Sequence, residues 1–415
     1  MTSKNTKGTR DYEPGEAAAK EKIKQTITNV LNKYGYVAME TPVIEHRDIL
    51  TSKFTGGEEI LKEMYSLTDQ GGRKLGLRYD LTVPLARFMA EHPEYKKPFR
   101  RRQHGKVFRD GPTKKGRYRE FEQYDFDIIG ENSVAAEAEL INIIRKALED
   151  LGLQPTIHVN SRNVLFSVLE SVGIETEKNS VILTLDKYEK KGQKGVIDEL
   201  VEKGVSKNTA KELLDTLNVE GTNEQKLKAL QQHGEFTELQ ELTTLLEAYN
   251  CSWTFNPFLA RGLNYYTGII FEAFDKESGV TSSLSAGGRY DNMIGALSNK
   301  EVEAVGASFG VDTLLDAVSK QEQYNKEKLY IVPLEPLQKI IPLVETLRKN
   351  IAVTLGSPDK HFRKNLDYAD KEGYGYLLVI GSDELESGAF EVKNLETGEK
   401  AKGALEELPS LLNTL

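Results

Sequence analysis

The sequence predicts an α+β protein in which a strand-rich part is interrupted by a helical segment and followed by a small α/β domain. Three observations support this prediction. The stretch EFEQYDFDII (120–129) alternates two sets of side chains, as a strand with two different faces does. Residues 162–248 are rich in Lys and Glu and carry Leu and Val at helical spacing. From about residue 328, apolar runs and helical patterns follow in a β-α-β-α-β order.

Length and composition narrow the class of protein. With 415 residues, 39% of them hydrophobic and 29% charged, the chain has the profile of a globular protein of two or three domains. It contains no run of about 18 apolar residues, and its polar start lacks a signal-peptide core. The single cysteine, Cys251, excludes an internal disulfide framework, and no zinc-ligand spacing can be assembled with the six His. We therefore expect a cytoplasmic protein that contacts no membrane and binds no zinc.

The first part of the chain shows helix, strands and helix in order. Apolar side chains recur on one helical face over residues 16–34, and Gly35 provides a stop. A second helix is predicted over about 133–151, where Ile and Leu recur at spacings of three and four. The strands predicted between these helices cover 36–44, 74–81, 106–110 and 120–129.

The helical segment at 162–248 is predicted to be an insertion between strands. Thr222 and Gln225 have the spacing of a capping box ahead of Leu227. Strand patterns return at 268–274 and 282–288, and a helix is predicted from about residue 302.

The last ninety or so residues are predicted to form an accessory α/β domain. Residues 319–328 are polar without periodicity and are predicted to be a linker. The β-α-β-α-β pattern beyond them ends in a hairpin and a terminal helix. Acidic side chains outnumber basic ones in this domain, a balance that by itself does not indicate a surface for nucleic acid.

Basic residues are concentrated in one stretch, although the net charge is −9. That net charge argues against a protein that coats nucleic acid indiscriminately. Between Lys96 and Arg119, eleven Lys or Arg accompany one acid, Asp110. By composition alone the stretch could be a solvated loop. The alternative is that strands on both sides present its arginines to an anionic ligand, because guanidinium stays charged and forks onto phosphate oxygens.

The segment FRDGPTKKGRYREFEQYDFDIIG (108–130) closely resembles motif 2 of the class II aminoacyl-tRNA synthetases, in the form of the histidyl-tRNA synthetase family. KGTRDYEPGE near the start and ETPVIE resemble the N-terminus and motif 1 of that family. Any of these segments alone could be ordinary surface or turn structure. The resemblance depends on their combination with the amino-acid-binding strand LRYDLTVPLAR (77–87), the histidine signature ARGLNYYTGIIFE (260–272), the glycine-rich strand SAGGRYDNMIG (285–295) and motif 3, AVGASFGVDTLL (304–315).

The resemblance implies a domain organisation and a reaction. A catalytic domain over residues 1–320, with an antiparallel sheet flanked by helices, would hold the insertion at 162–248. An anticodon-binding-like α/β domain would cover 328–415. The implied homodimer would convert histidine and ATP, the latter with Mg²⁺, to histidyl-adenylate. It would then transfer the histidyl group to the terminal adenosine of tRNA(His).

The resemblance also implies residue roles. Arg109 and Arg261 would be the catalytic pair on two sides of the α-phosphate, where fixed cations neutralise two approaching anions. The implied ATP-binding residues are Arg109, Arg117, Arg261 and Phe121, the last stacking on adenine. The implied histidine-binding residues are Asp80, Leu81, Thr82, Arg109, Gln123, Asp127, Arg261, Tyr265 and Tyr266.

These residue types suit the recognition of histidine. Imidazole differs from other side chains in its hydrogen-bonding nitrogens, so an acceptor such as Asp127 and tyrosine hydroxyls can discriminate it. A pair of adjacent tyrosines is more often part of a core. Beside Arg261, however, we interpret Tyr265 and Tyr266 as pocket residues.

Two positions depart from the family pattern and leave alternatives open. The segment GVDT (310–313) has Thr313 where motif 3 has an arginine that covers adenine and the γ-phosphate, and Asn264 replaces an Asp. One alternative is a non-catalytic paralogue that serves as regulatory subunit in histidine biosynthesis. That group lacks the terminal domain and the counterpart of Arg261, both of which this chain retains. The other alternative is a tRNA sensor without catalysis.

Overall fold

The chain forms two compact units, each with its own sheet and apolar core. One unit comprises Met1–Asp11 and Lys20–Ser319, and the other comprises Tyr12–Ala19 and Lys320–Leu415. The structure, a computed structural model, describes residues 4–52, 61–113, 117–260, 265–298, 300–318 and 326–415. Most of the predicted linker at 319–328 lies outside these residues.

The first unit is built on two sheets. Its strands are β1 (Val37–Ala38), β2 (Ile44–His46), β3 (Ser66–Thr68), β4 (Lys74–Leu77), β5 (Phe99–Phe108), β6 (Glu120–Ile129), β7 (Pro155–Ser161), β8 (Thr254–Phe255), β9 (Ile269–Asp275), β10 (Ser285–Arg289) and β11 (Ala304–Gly310). The large sheet has the order β1-β5-β6-β11-β10-β9-β7-β8, and a small one has the order β2-β4-β3.

The large sheet is mixed rather than purely antiparallel. Its strands from β5 to β7 pair antiparallel, whereas β1 and β8 join the two edges in parallel. Parallel neighbours need a long crossover. Between β7 and β8 that crossover is the whole helical insertion. The predicted α+β fold is confirmed, with this difference at the sheet edges.

The helices of the first unit flank the sheet or form the insertion. In the described residues they are α1 (Pro14–Lys33, which belongs to this unit from Lys20 onward), α2 (Arg47–Leu50), α3 (Thr82–Glu91), α4 (Ala135–Asp150), α5 (Arg162–Ser171), α6 (Lys178–Leu185), α7 (Tyr188–Glu202), α8 (Lys207–Leu217), α9 (Asn223–Leu230), α10 (Thr237–Ala248), α11 (Asn292–Ser298) and α12 (Val311–Ala317). Helices α5 to α10 lie between β7 and β8 in the chain.

Two local features of the insertion follow directly from its sequence. The predicted capping box is present at the start of α9, where Thr222 Oγ1 accepts from Gln225 N at 3.3 Å and Gln225 Oε1 accepts from Thr222 N at 2.9 Å. Helix α7 is interrupted at Gly192, whose φ of 66° is left-handed and disfavoured for any residue with a Cβ. The first turn of α7 is therefore set apart from the remainder.

The helix predicted from about residue 302 is wrong. Residues Ala304–Gly310 form β11, and the helix α12 begins only at Val311. Gly306 and Gly310 weaken a helix, and Val305 and Phe309 are both fully buried on one face of the strand. The spacing of the apolar residues in this segment fits both a helix and a strand, and pairing with neighbouring strands of the sheet favours the strand.

The C-terminal unit contains a five-stranded sheet with helices. Its strands β12 (Leu329–Pro333), β13 (Val353–Leu355), β14 (Tyr376–Ile380), β15 (Phe390–Asn394) and β16 (Lys400–Gly403) have the order β13-β12-β14-β15-β16. The first three pair in parallel, and the last two extend the sheet as an antiparallel hairpin. Its helices are α13 (Leu337–Leu347), α14 (Phe362–Lys371), α15 (Ser382–Ser387) and α16 (Leu408–Leu412).

Candidate active site

Two adjoining cavities lie in the first unit, and both are lined by Arg109 and Gln123. One has a volume of about 300 Å³ and the other of about 320 Å³. Among the residues predicted from sequence, the first cavity contains Asp80, Thr82, Asp127, Tyr265 and Tyr266, and the second contains Arg117 and Phe121. The structure thus separates the predicted histidine-binding and ATP-binding residues into neighbouring spaces that share one arginine.

The floor of the first cavity is a face of the large sheet. In the register of β5, β6 and β11, Asp127 stands between Arg101 and Gly306, and Asp125 stands between Gln103 and Ser308. Residues paired directly across strands share a face of the sheet. The alternation seen at 120–129 therefore places Asp125 and Asp127 on the cavity side.

Gly306 is needed for this arrangement. A Cβ at this position would overlap Asp127 Oδ1 and lie 3.2 Å from the Tyr290 ring. On β10, a Cβ at Gly288 would lie 2.9 Å from Tyr266 Cδ1. The glycines of the two strands therefore leave the space into which the pocket side chains project.

Asp127 is held by a buried cation and a buried hydroxyl. Arg101 Nε lies 2.8 Å from Asp127 Oδ2, and both side chains are buried. Tyr290 donates its hydroxyl to Asp127 Oδ1 at 2.5 Å. Burial raises the pKa of Asp127, while Arg101 and the Tyr290 hydrogen bond lower it. The carboxylate is thereby oriented by two buried partners.

Besides Asp127 Oδ2, which faces Arg101, two acceptors in the first cavity have no hydrogen-bond donor among the described residues. Asp80 Oδ1 accepts from Val83 N at 3.0 Å, but the buried Asp80 Oδ2 accepts no hydrogen bond there. Gln123 donates from Nε2 to Ser308 Oγ at 3.2 Å, and its buried Oε1 likewise accepts no hydrogen bond from a described residue. Unsatisfied buried acceptors are costly, so they indicate a ligand with several N–H donors. Burial raises the pKa of Asp80 to about 6.

The tyrosine pair lies on the first cavity, whereas Leu81 does not line it. The rings of Tyr265 and Tyr266 have centroids 4.7 Å apart, and the Tyr265 and Tyr290 centroids are 6.0 Å apart. Leu81 is fully buried, and its backbone carbonyl accepts from Arg101 Nη2 at 3.2 Å. Leu81 thus contacts the cation that holds Asp127 rather than the cavity itself.

Sequence reasoning missed several residues of this cavity. Asp125 accepts from Ser308 Oγ at 2.5 Å, and burial raises the pKa of Asp125 to about 7. The alternation over 120–129 includes Asp125, but the sequence alone does not indicate a role for this residue. Tyr290 follows the glycine-rich strand directly, and Arg101 stands in the basic stretch. Only the hairpin register identifies Arg101 as the partner of Asp127.

The second cavity combines an aromatic ring with several charges. The Arg109 guanidinium carbon lies 5.1 Å from the centroid of Phe121, and Arg109 Nε donates to the Tyr79 carbonyl at 3.1 Å. Arg117 also lines this cavity, and its Nη2 lies 2.9 Å from Glu63 Oε1. An aromatic face beside fixed arginines suits a nucleotide base attached to phosphates.

Two carboxylates of the second cavity are already paired. Glu122 and Asp312 line it, and Lys20 Nζ lies 3.2 Å from Glu122 Oε2 and 3.0 Å from Asp312 Oδ1. Asp312 Oδ2 also accepts from Glu122 N at 2.7 Å. Thr313 and Lys190 also line this cavity.

Some predictions fall outside the residues that the structure describes. Arg261, the second catalytic arginine predicted from sequence, and Asn264 belong to 261–264, which lies outside them. In the described parts of the chain, no group of three or more His, Cys, Asp or Glu is arranged to hold a metal ion. No helix within those parts is both long and apolar enough to cross a membrane.

The mixed sheet, antiparallel at its centre, carries two cavities joined at a motif 2 arginine, which is the arrangement expected of a class II aminoacyl-tRNA synthetase. A family model described as histidyl-tRNA synthetase matches residues 8–314, and one described as anticodon binding domain matches residues 328–415. The chain belongs to the histidyl-tRNA synthetase family.

Full-length relatives share this organisation. The chain is 40% identical over 426 residues to "Histidine--tRNA ligase 1" of a Bacillus cereus strain, covering 99% of this chain and 100% of the relative. It is 40% identical over 410 residues to "Histidine--tRNA ligase 2" of Shouchella clausii, covering 95% and 96%. The crystal structure of histidyl-tRNA synthetase from Nostoc sp. PCC 7120 matches with a TM-score of 0.87 at 25% identity, covering 100% of this chain and 99% of that one.

Proposed function

We propose that this protein is a histidine–tRNA ligase that activates histidine with ATP and transfers it to tRNA(His). The observation that carries the proposal is the pair of cavities that share Arg109 and Gln123. A carboxylate in the first cavity and an α-phosphate in the second would meet at Arg109. That meeting point is what adenylate formation requires.

The first cavity is proposed to bind histidine. Asp80 Oδ2 and Gln123 Oε1 supply two of the acceptors that an α-ammonium group needs, and Thr82 lies beside them on the lining. Asp127, fixed by its ion pair, accepts from an imidazole N–H, with Tyr265 and Tyr266 around the ring. An analogue without ring nitrogens would leave Asp127 unsatisfied, which is the basis of discrimination.

The second cavity is proposed to bind ATP, with adenine on Phe121 and the outer phosphates near Arg117. During attack, the histidine carboxylate oxygen bonds to the α-phosphorus and pyrophosphate leaves. Arg109 neutralises the charge that two anions bring together, with Arg261 proposed from the family motif as its counterpart. Mg²⁺ would be bound by the phosphates of the nucleotide, as part of the substrate. The carboxylates of Glu122 and Asp312, which line this cavity, are already paired with Lys20.

The remaining assignments follow from the family. We propose a catalytic domain over residues 1–320, with the insertion at 162–248, and an anticodon-reading domain over 328–415; the two family models match 8–314 and 328–415. The tRNA hydroxyl then attacks the adenylate carbonyl, and AMP leaves. A homodimer acting in the cytoplasm without zinc completes the proposal, supported by the motif 1 resemblance and by the single cysteine.

Histidine-dependent exchange of labelled pyrophosphate into ATP tests this function. We expect exchange with histidine and none with other amino acids, followed by charging of tRNA(His). Absence of exchange in a folded protein would contradict the proposal. If such a protein still bound tRNA(His), it would be a sensor. If it instead altered the first enzyme of histidine biosynthesis, it would be a regulatory subunit, a reading that the match over 328–415 disfavours.

A further inference from the structure

Lys190 lines the nucleotide cavity together with Thr313, the position at which the family's motif 3 arginine is missing. Lys190 belongs to α7 of the helical insertion, whereas Thr313 lies in α12 after the catalytic sheet. Because Thr313 is neutral, the cavity lacks the positive charge that the family's arginine would provide at this position. The ammonium of Lys190, on the lining of the same cavity, can restore that charge.

The turn that carries Lys190 is anchored on both sides of it. The Tyr188 ring stacks on Phe258 with centroids 3.9 Å apart and planes 7° apart. Lys187 and Lys191 each place their ammonium 2.6 Å from a carboxylate oxygen of Glu199. Lys187 and Lys191 are thus held by Glu199, and Lys190 is the lysine of this turn that lines the cavity.

Among the residues that the structure describes, the Lys190 ammonium has no carboxylate partner, in contrast to Lys187 and Lys191. The other cations on the described part of the cavity lining already have protein partners: Arg117 pairs with Glu63, and Arg109 donates to the Tyr79 carbonyl. A lysine on the lining of a binding cavity that has no carboxylate partner among the described residues is suited to an anionic ligand.

The acids of this cavity leave the Lys190 charge uncompensated. Glu122 and Asp312 are bridged by the buried Lys20, and Lys24 lies 3.4 Å from Glu122. The protein thus neutralises its own carboxylates from the α1 side. The charge of Lys190 remains available for phosphate oxygens.

We propose that Lys190 binds the β- and γ-phosphates of ATP and supplies the charge that Thr313 lacks, an inference that rests on the proposed nucleotide cavity. Lysine offers a compact point charge with three donors, which suits phosphate oxygens approached from one side. The insertion therefore takes part in substrate binding through this residue.

Binding of α,β-methylene-ATP, measured by calorimetry, tests the proposal without any need for turnover. We expect Lys190→Ala to weaken binding about tenfold, the loss of one charge-assisted contact. Binding of AMP, which lacks the outer phosphates, should stay unchanged. Lys194→Ala, which removes an exposed lysine of the same helix away from the cavity lining, is the matched control and should bind both nucleotides normally.

A second variant tests whether a cation at position 313 can replace the cation at position 190. Adding Thr313→Arg to Lys190→Ala should restore affinity for α,β-methylene-ATP, because it returns the cation to its position in the family. Equal affinities of Lys190→Ala and wild type for this analogue would overturn the proposal, as would an equal loss for AMP. Failure of the proposed function looks different: wild type would give no histidine-dependent exchange, whatever the nucleotide affinities.

Discussion

Asp125 is a carboxyl group that the protein buries beside a second one, Asp127, and its protonation should be visible in the free energy of unfolding. Burial raises the pKa of Asp125 to about 7, whereas an aspartate in an unfolded chain titrates near 3.9. The folded state therefore retains a proton that the unfolded state loses between these values. Over that range the free energy of unfolding falls as pH rises, and above it the full cost of burying the charge is present.

We predict that Asp125→Asn stabilises the protein more at about pH 8 than at about pH 5, by an amount on the order of 2 kcal/mol. The amide keeps an oxygen for the Ser308 hydroxyl but never ionises. Urea unfolding at the two pH values measures the effect. Asp198→Asn, at an exposed position of α7, is the control and should show no such pH dependence. An equal gain at both pH values would show that Asp125 is charged throughout.

Tyr290 donates a hydrogen bond to Asp127, the residue proposed to recognise the imidazole of histidine. We predict that Tyr290→Phe raises the KM for histidine about tenfold or more, since a hydrogen bond to a charged group contributes about 1.5–3 kcal/mol. The KM for ATP should stay the same. Pyrophosphate exchange at varied histidine concentration provides the measurement. Tyr34→Phe, which removes a hydroxyl that accepts from Asn142, is the control. An unchanged KM for histidine in Tyr290→Phe would mean that Arg101 alone orients Asp127.

At the scale of elements, β11 leaves room for the side chains of the proposed histidine cavity through Gly306. A methyl group at position 306 would collide with the Asp127 carboxylate, which Arg101 and Tyr290 prevent from moving aside. We predict that Gly306→Ala lowers kcat/KM for histidine about a hundredfold, as misplacement by about 1 Å can do. The exchange assay measures this loss. Gly71→Ala, where a Cβ meets nothing closer than 3.4 Å, should leave exchange intact. Normal activity in Gly306→Ala would show that the sheet adjusts.

The sequence predicts secondary structure well where the spacing of its polar and apolar residues fits only a strand or only a helix. Strand β6 was predicted with its observed bounds, because its alternation matches a strand with one polar face. Strand β11 was missed because Val302, Val305 and Phe309 also suit a helix, and pairing with β6 and β10 decides the outcome. The parallel edges of the sheet were missed for a similar reason. Strand direction depends on the path of the chain, which local periodicity does not contain.

Residues of the candidate site could be predicted from the sequence where they belong to a segment that resembles a family motif. Asp80, Arg109 and Gln123 come from segments that resemble family motifs, and the structure gathers them around joined cavities. Lys190 shares no motif with Thr313 and is distant from it in sequence, so no local pattern connects the two. Arg101 could have been found by extending the hairpin register from the basic loop.

At the scale of the whole molecule, separate units should support separable steps. Adenylate formation needs only small substrates, whereas charging needs tRNA. We predict that a chain ending after Gln323 retains pyrophosphate exchange but charges tRNA(His) far more slowly, because reading of a single-stranded anticodon loop is lost. Initial rates of both reactions on the same preparations provide the measurement, with the full-length chain as control. Equal charging by the two chains would show that residues 328–415 do not read the anticodon.

The shared wall at Arg109 and Gln123 also bears on how this protein could be inhibited. An imidazole-bearing fragment and a purine-bearing fragment would occupy neighbouring cavities that share these two lining residues, so one molecule with a short bridge is expected to reach both. Once one end is bound, the other is held at high effective concentration, and the loss of translational freedom occurs only once. A bridge that cannot be hydrolysed would therefore turn two weak ligands into a tight one. Its selectivity would come from both ends, because each must satisfy its own cavity.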